Sequence, residues 1–207
     1  MSGLFIVVEG PEGAGKSTLV RWLASRWAAE GRQVVSVREP GGTPVAEAAR
    51  KVALTFPSAM APAAELFLML AARADLIEQV IRPALEAGHI VLADRFALST
   101  FAYQVAARGL PRDEVTAANR LATGGLVPDI TLVLDVPVDV GRGRQRRKQR
   151  DRFEREGDAF HQRVRREYLA AQGPGVVHID ASLPRETVQQ LAWRELLAAA
   201  APINRGL

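Results

Sequence analysis

The feature that most constrains this chain is eight residues long. The apolar run Leu4–Glu9 (LFIVVE) leads directly into Gly10-Pro11-Glu12-Gly13-Ala14-Gly15-Lys16-Ser17, a complete G-x-x-x-x-G-K-[ST] pattern, and helix-forming residues follow to about position 30. Glycines at these places let backbone N–H groups curl around phosphate oxygens. The lysine reaches the β- and γ-phosphates, the serine hydroxyl serves Mg²⁺, and the following helix turns its positive end toward the anion. Gly10, Pro11, Glu12, Gly13, Ala14, Gly15, Lys16, Ser17 and Thr18 are therefore candidates for holding a nucleoside triphosphate. The competing explanation is a plain Gly-rich turn, and the strand before it and helix after it argue against that.

Four more apolar, β-branched runs follow, at 33–38 (QVVSVR), 89–94 (HIVLAD), 129–136 (DITLVLDV) and 175–180 (GVVHID). They are nearly continuous rather than alternating, as expected of strands buried on both faces of a parallel sheet. Helical stretches lie between them at about 16–30, 44–55, 62–87, 98–123 with a break at Pro111, 139–172 and 184–200. This alternation predicts an α/β P-loop NTPase fold: five parallel strands with helices on both faces, in one domain over residues 1–207. Ligands of such sheets bind outside the C-terminal strand ends, so the residues just after each apolar run are the ones to inspect.

Composition narrows the chemistry. The 207 residues include no cysteine, which excludes disulfides, thiolate metal sites, iron–sulfur clusters and cysteine nucleophiles. Three histidines without clustered spacing argue against a histidine metal site. No apolar run approaches a membrane span, and the first residues have no basic segment ahead of an apolar one, so a cytoplasmic protein is expected. Of 27 basic residues, all but Lys16, Lys51 and Lys148 are arginines. Positions 142–166 hold eleven basic residues against four acids, a local +7 in a chain whose total is +4. Such a block suits nucleic acid, an anionic membrane or a polyphosphate, unless it is a solvated helix face.

Position along the chain favours the polyphosphate. The third run ends in Asp94-Arg95; beside a P-loop, the carboxylate can orient hydrated Mg²⁺ and the arginine can fork onto phosphate. The second run ends in the turn Arg38-Glu39-Pro40-Gly41-Gly42-Thr43-Pro44. Arg73 interrupts a long apolar helix, so it must either reach the edge or meet a buried partner, and Met69 precedes it by four residues on the same face. The fourth run leads into Gly141–Arg155, whose arginines above the P-loop mouth would neutralise triphosphate charge and exclude water.

Taken together, GPEGAGKST at 10–18, REPGGTP at 38–44, ARADLIEQVIRPAL at 72–85, DRFALSTFAYQ at 94–104, PDITLVLDVP at 128–137 and DRFEREGDAFHQRVRREYL at 151–169 resemble the thymidylate kinases, from about Leu4 to the final helix. The resemblance implies a nucleoside monophosphate kinase-like fold that transfers the γ-phosphoryl of ATP to dTMP, with Mg²⁺, as a cytoplasmic homodimer that binds neither nucleic acid nor membrane. A phosphate monoester is already largely dianionic at pH 7, so no general base is needed, and the site must instead hold two anions together.

By the same resemblance, Gly10–Thr18 hold the ATP phosphates, Arg95 bridges acceptor and donor, and Asp94 joins Ser17 near the metal. Glu39 and Arg50 lie by the dTMP sugar and phosphate. Arg73, Thr100 and Gln104 read the thymine edge, and Tyr103 packs where a ribose 2′-hydroxyl would lie. Arg144 and the loop Asp180-Ala181-Ser182 flank adenine. The P-loop has no arginine of its own, which resembles the bacterial type with its arginines on a lid, here about 141–157. Arg146, Arg147, Arg150 and Arg152 are available there, with Arg147 and Arg150 the catalytic candidates.

Two departures from the family pattern stand out. Met69 occupies the place of the usual thymine-stacking aromatic, and Phe96 that of a tyrosine or histidine. The alternatives are another nucleoside monophosphate or deoxynucleoside kinase of the same fold, and a nucleic-acid-binding P-loop protein. The basic segment argues against the last, because it has no interleaved stacking aromatics beyond Phe153.

Overall fold

Strand β1 (Leu4–Glu9) is buried along its whole length because it forms the centre of the sheet. The computed structural model describes residues 3–56, 58–144 and 151–200. Four further strands, β2 (Val34–Arg38), β3 (Ile90–Asp94), β4 (Ile130–Asp135) and β5 (Val176–Asp180), join β1 in the order β2-β3-β1-β4-β5. Every pairing is parallel. All five predicted runs are strands, each within a residue of its expected limits. Burial on both faces holds for β1 and β3 and most of β4. The outermost strands β2 and β5 depart from it: they are half-exposed, because each has a neighbour on one side only.

The helices fall where the apolar spacing puts them, with three refinements. Helices α1 (Lys16–Ala29), α2 (Pro44–Thr55), α6 (Arg112–Thr123) and α9 (Arg185–Ala200) match their expected spans closely. Thr43 caps α2 by accepting from the Ala46 N–H, and Pro44 fills its first turn.

The long helix expected at 62–87 is α3 (Pro62–Leu76), a π-helical stretch Ile77–Ile81 and α4 (Arg82–Glu86). The wide turns immediately precede Pro83, which has no N–H with which to continue the ordinary ladder. Likewise α5 (Ala97–Thr100) widens into a π-helical stretch, Phe101–Ala107.

The single helix expected at 139–172 is instead α7 (Val138–Arg144) and α8 (Asp158–Ala170), with turns at 151–157 before α8. Asp151 and Glu154 explain that break. Each accepts from the other's backbone N–H, at 3.0 and 2.9 Å, which satisfies the chain locally in a turn rather than a helix.

The core forms on both sheet faces. Trp27, Leu23 and Trp193 pack with Ile6, Val8 and Leu132 on one side, and Phe5, Leu76, Ile81 and Phe96 on the other. Among the described residues no helix is long and apolar enough to cross a membrane.

Candidate active site

The C-terminal ends of β1, β2 and β3 converge on one cleft. Its walls include P-loop residues Glu12, Gly13, Gly15, Lys16, Ser17 and Thr18 and acceptor-side candidates Glu39, Arg50, Met69, Arg73, Thr100, Tyr103 and Gln104, with Asp94 and Arg95 in the same lining. Residues far apart in the chain thus meet where the strand-end rule places a ligand.

The P-loop is held tightly. Gly13 and Gly15 have φ of 75° and 91°, values that a side chain would strain. A Cβ on Gly13 would lie 2.2 Å from the carbonyl oxygen of Gly141, and one on Gly141 would lie 2.4 Å from that of Glu12. Two glycines therefore let the start of the expected lid touch the phosphate loop backbone to backbone.

Lys16 is buried, and its Nζ donates to the carbonyls of Gly10 and Pro11 at 2.9 and 2.8 Å. Burial and the nearby Arg95 cation lower its ammonium to about 8. The Ser17 hydroxyl donates to Asp94, which brings together the two oxygen groups expected at the metal. No cluster of three or more acidic or histidine ligands exists among the described residues.

Arg95 has φ of 77°, in the left-handed region that non-glycine residues rarely adopt. Its Nη1 donates to the Gly10 carbonyl, Ser99 and Tyr168, and its Nη2 to Glu12 and Tyr103. Tyr103 also donates to Glu12. Burial alone would raise the Glu12 carboxyl, but His161, Arg95, Lys16 and Tyr103 together hold it well below the usual carboxylate range. Glu12 is thus a buried anion that anchors Arg95 from within the P-loop. His161 Nδ1 stands 3.6 Å from it.

Behind Arg95 lies Glu9, which is fully buried at the end of β1. It accepts from the backbone N–H groups of Phe96 and Ser99 and from the hydroxyls of Ser99 and Tyr168. Burial pushes its carboxyl up, against those hydrogen bonds and Arg95.

Among the acceptor-side candidates, Arg73 meets a buried partner. Its Nε and Nη2 lie 2.8 and 2.7 Å from Glu39 Oε2. Nη1 donates to Thr100 and Asn119, and Nη2 to the Phe96 carbonyl. Gln104 donates to Glu65 on α3. Arg50 donates to the Pro40 carbonyl. Met69 packs with the cluster of Tyr103 and Phe153, whereas Phe67 is exposed. Phe96 is buried edge-on against Phe5 beneath the Arg73 guanidinium, so its side chain contributes packing instead of a polar contact.

A second cavity opens on the other side of the P-loop, lined by Gly13, Ala14, Thr18, Arg144, Ala181 and Val188 among others. Arg144 spans it, donating to the carbonyls of Ala181, Gly13 and Ser182. The Arg144 and 180–182 candidates are therefore brought together, apart from the acceptor-side cleft. Gly10 and Pro11 contribute carbonyls that Lys16 and Arg95 engage, and line neither cavity.

Of the four arginines expected on the lid, Arg146, Arg147 and Arg150 lie outside the described residues. Arg152 is engaged elsewhere: it donates to the Ala53 carbonyl and to Glu65. Sequence reasoning did not single out Arg38, Ser99, Asp151, Phe153 and Glu154 as parts of this cleft, nor Glu9 and His161 behind it. Arg38 and Glu9 carried a usable signal, since each is a charged residue closing an apolar run. His161 carried none.

The thymidylate kinase family model matches residues 8–192. The chain is 52% identical over 195 residues to a thymidylate kinase of Pseudomonas fluorescens Pf-5, which covers 92% of this chain and 93% of that one. It is 51% identical over 196 residues to the thymidylate kinase of Pseudomonas entomophila and 50% identical over 196 to one from Pseudomonas putida, with the same coverage.

Proposed function

Because this chain belongs to the thymidylate kinase family, we propose that it transfers the γ-phosphoryl group of ATP to dTMP, giving dTDP and ADP. The observation that carries this reading is the shared cleft. The P-loop, with Lys16, Ser17 and Thr18, and the acceptor side, with Glu39, Arg50, Arg73 and Gln104, line one space, and Asp94 and Arg95 line it too. An oxygen of the acceptor phosphate attacks the γ-phosphorus in line as the bond to the β-phosphate oxygen breaks. The acceptor is already an anion, so the protein's task is to position two anions and offset their charge.

Arg95 serves that task from a fixed posture. Its strained backbone and its bonds to Gly10, Ser99, Tyr168, Glu12 and Tyr103 restrict the guanidinium before substrate arrives, which lowers the ordering cost of binding. Lys16, Arg147 and Arg150 are the other cations assigned to the transferred group. Arg144 and the loop at 180–182 are assigned to adenine. Glu39, Arg50, Met69, Arg73, Thr100, Tyr103 and Gln104 are assigned to dTMP.

Ser17 and Asp94 are the residues that would hold Mg²⁺. A hydroxyl and a carboxylate in mutual contact suit a hard cation that takes its other ligands from phosphate and water. When bound, the ion would offset charge on the phosphates.

The protein is further proposed to act in the cytoplasm, as one domain with its lid at about 141–157, and as a homodimer. Exposed Val45 and Val52 on α2, Phe56 at its end and Phe67 on α3 support an apolar contact surface. Sedimentation at micromolar concentration tests the dimer.

The deciding experiment is ADP production with ATP, Mg²⁺ and a panel of dTMP, dUMP, dGMP and thymidine. We expect dTMP to be the best acceptor; equal or better rates with an acceptor lacking thymine overturn the assignment.

A further inference from the structure

We propose that Glu65 is a specificity-determining positioning residue: it fixes which end of the Gln104 carboxamide faces the cleft, and so selects a base that carries a ring N–H. The proposal rests on the dTMP reading above. Glu65 is completely buried in the first turn of α3, and with Met69 and Arg73 it forms a row at four-residue spacing along that helix. Its Oε1 accepts from Gln104 Nε2 at 3.0 Å and Arg108 Nε at 3.3 Å. Its Oε2 accepts from Arg108 Nη2 at 3.2 Å and from Arg152.

A carboxamide has a donor end and an acceptor end of nearly the same shape, and nothing within the side chain chooses between them. Glu65 chooses. A carboxylate paired with two guanidiniums offers only acceptors, so Gln104 must turn its NH₂ group toward it. Reversal would set two oxygens against each other at hydrogen-bond distance. Gln104 is buried, so water cannot relieve that clash. The carbonyl oxygen is then what the amide presents to the cleft that Gln104 lines.

An acceptor at this position discriminates between pyrimidines. Thymine and uracil carry an N–H at N3, between two carbonyls. Cytosine carries a lone pair at N3, beside an amino group. The Gln104 oxygen accepts from the first and repels the second, so rejection is built into the site along with recognition.

The test compares wild type, Glu65→Gln, Glu65→Gln/Gln104→Glu and Arg108→Gln with ATP and either dTMP or dCMP, and measures binding of each monophosphate by calorimetry. Wild type that does not turn over dTMP overturns the proposed function itself; wild type that prefers dTMP leaves the variants to judge Glu65 alone. An amide at position 65 can donate as well as accept, so the Gln104 amide becomes free to reverse. The preference for dTMP over dCMP in kcat/KM should then fall about tenfold, mainly through a lower KM for dCMP. The double exchange restores an acceptor on the cleft side and should return the preference to within about threefold of wild type. Arg108→Gln disturbs the same carboxylate but leaves position 65 with acceptors only, and should keep the preference even if the melting temperature drops.

An unaltered preference in Glu65→Gln, an equal loss in Arg108→Gln, or no recovery in the double exchange overturns the proposal. If Glu65→Gln does not fold, Gln104→Glu alone decides. Two opposed carboxylates should bind dTMP about tenfold more weakly than wild type does, and equal affinity overturns the proposal.

Discussion

Replacing Arg73 by methionine keeps most of the aliphatic stem and removes a guanidinium on a residue only 3% exposed. The loss is larger than that of one hydrogen bond. Two contacts to Glu39, at 2.8 and 2.7 Å, disappear together with those to Thr100, Asn119 and the Phe96 carbonyl. Glu39 is left buried, and its Oε1 has no hydrogen-bond partner even before the change. Removing one member of a buried pair costs about 3–5 kcal/mol, because the other charge remains uncompensated. For a domain of this size that corresponds to a fall of about 6–20 °C in Tm.

The penalty should also depend on pH. Burial pushes the Glu39 carboxyl above its ordinary 4.5, and Arg73 pulls it back. Without Arg73 the folded-state value rises further. A carboxyl raised in the folded state favours folding fully below its unfolded value and loses that advantage as pH rises through the folded one. The variant's penalty should therefore be large at pH 7.5 and smaller at pH 5. Urea unfolding at both pH values measures it, together with Glu39→Gln and the double variant. The double should lose about 1–3 kcal/mol less than the sum of the singles. A penalty equal at both pH values, or strict additivity, refutes the reasoning.

Three further outcomes follow from the site. Lys16 sits near 8 in the free protein and loses its charge as pH rises above that, so kcat/KM for ATP should fall about tenfold per pH unit above it; a profile flat to pH 9.5 contradicts this. Gly141→Ala drives a Cβ to 2.4 Å from the Glu12 carbonyl, and should cost about 1–3 kcal/mol of stability while raising the KM for ATP about tenfold. An unchanged KM would mean that the contact of α7 with the P-loop does not shape the phosphate site. Tyr103→Ala removes the hydroxyl bonded to Glu12 and Arg95 and the ring packed edge-on against Phe153, and should weaken discrimination against ribonucleotide acceptors about tenfold. A retained deoxyribose preference removes Tyr103 from that role.

Much of this was legible in the sequence, for local reasons. Leu4–Glu9 and Pro44–Thr55 have the limits their composition suggests, because β-branched apolar runs and a Thr–Pro helix start are short-range signals. Arg73 had to find a buried partner once it was placed on an apolar helix. Which partner was not legible. The chain holds 27 cations and 23 acids, and nothing local pairs Arg73 with Glu39, 34 positions away, or Arg152 with Glu65, 87 positions away. The one long helix expected at 139–172 failed for a related reason: helix-forming composition on both sides conceals the reciprocal Asp151–Glu154 turn.

The sequence by itself therefore determined the parallel α/β plan, the phosphate loop and most side chains around it, because periodicity and fixed-spacing motifs act within one element. The tertiary structure alone decided how those side chains are held: Glu9 and Glu12 around a strained Arg95, Glu65 against Gln104, and Arg152 drawn onto α3. Buried charges and amides must find partners wherever the fold brings them, and those contacts join residues that the sequence keeps far apart.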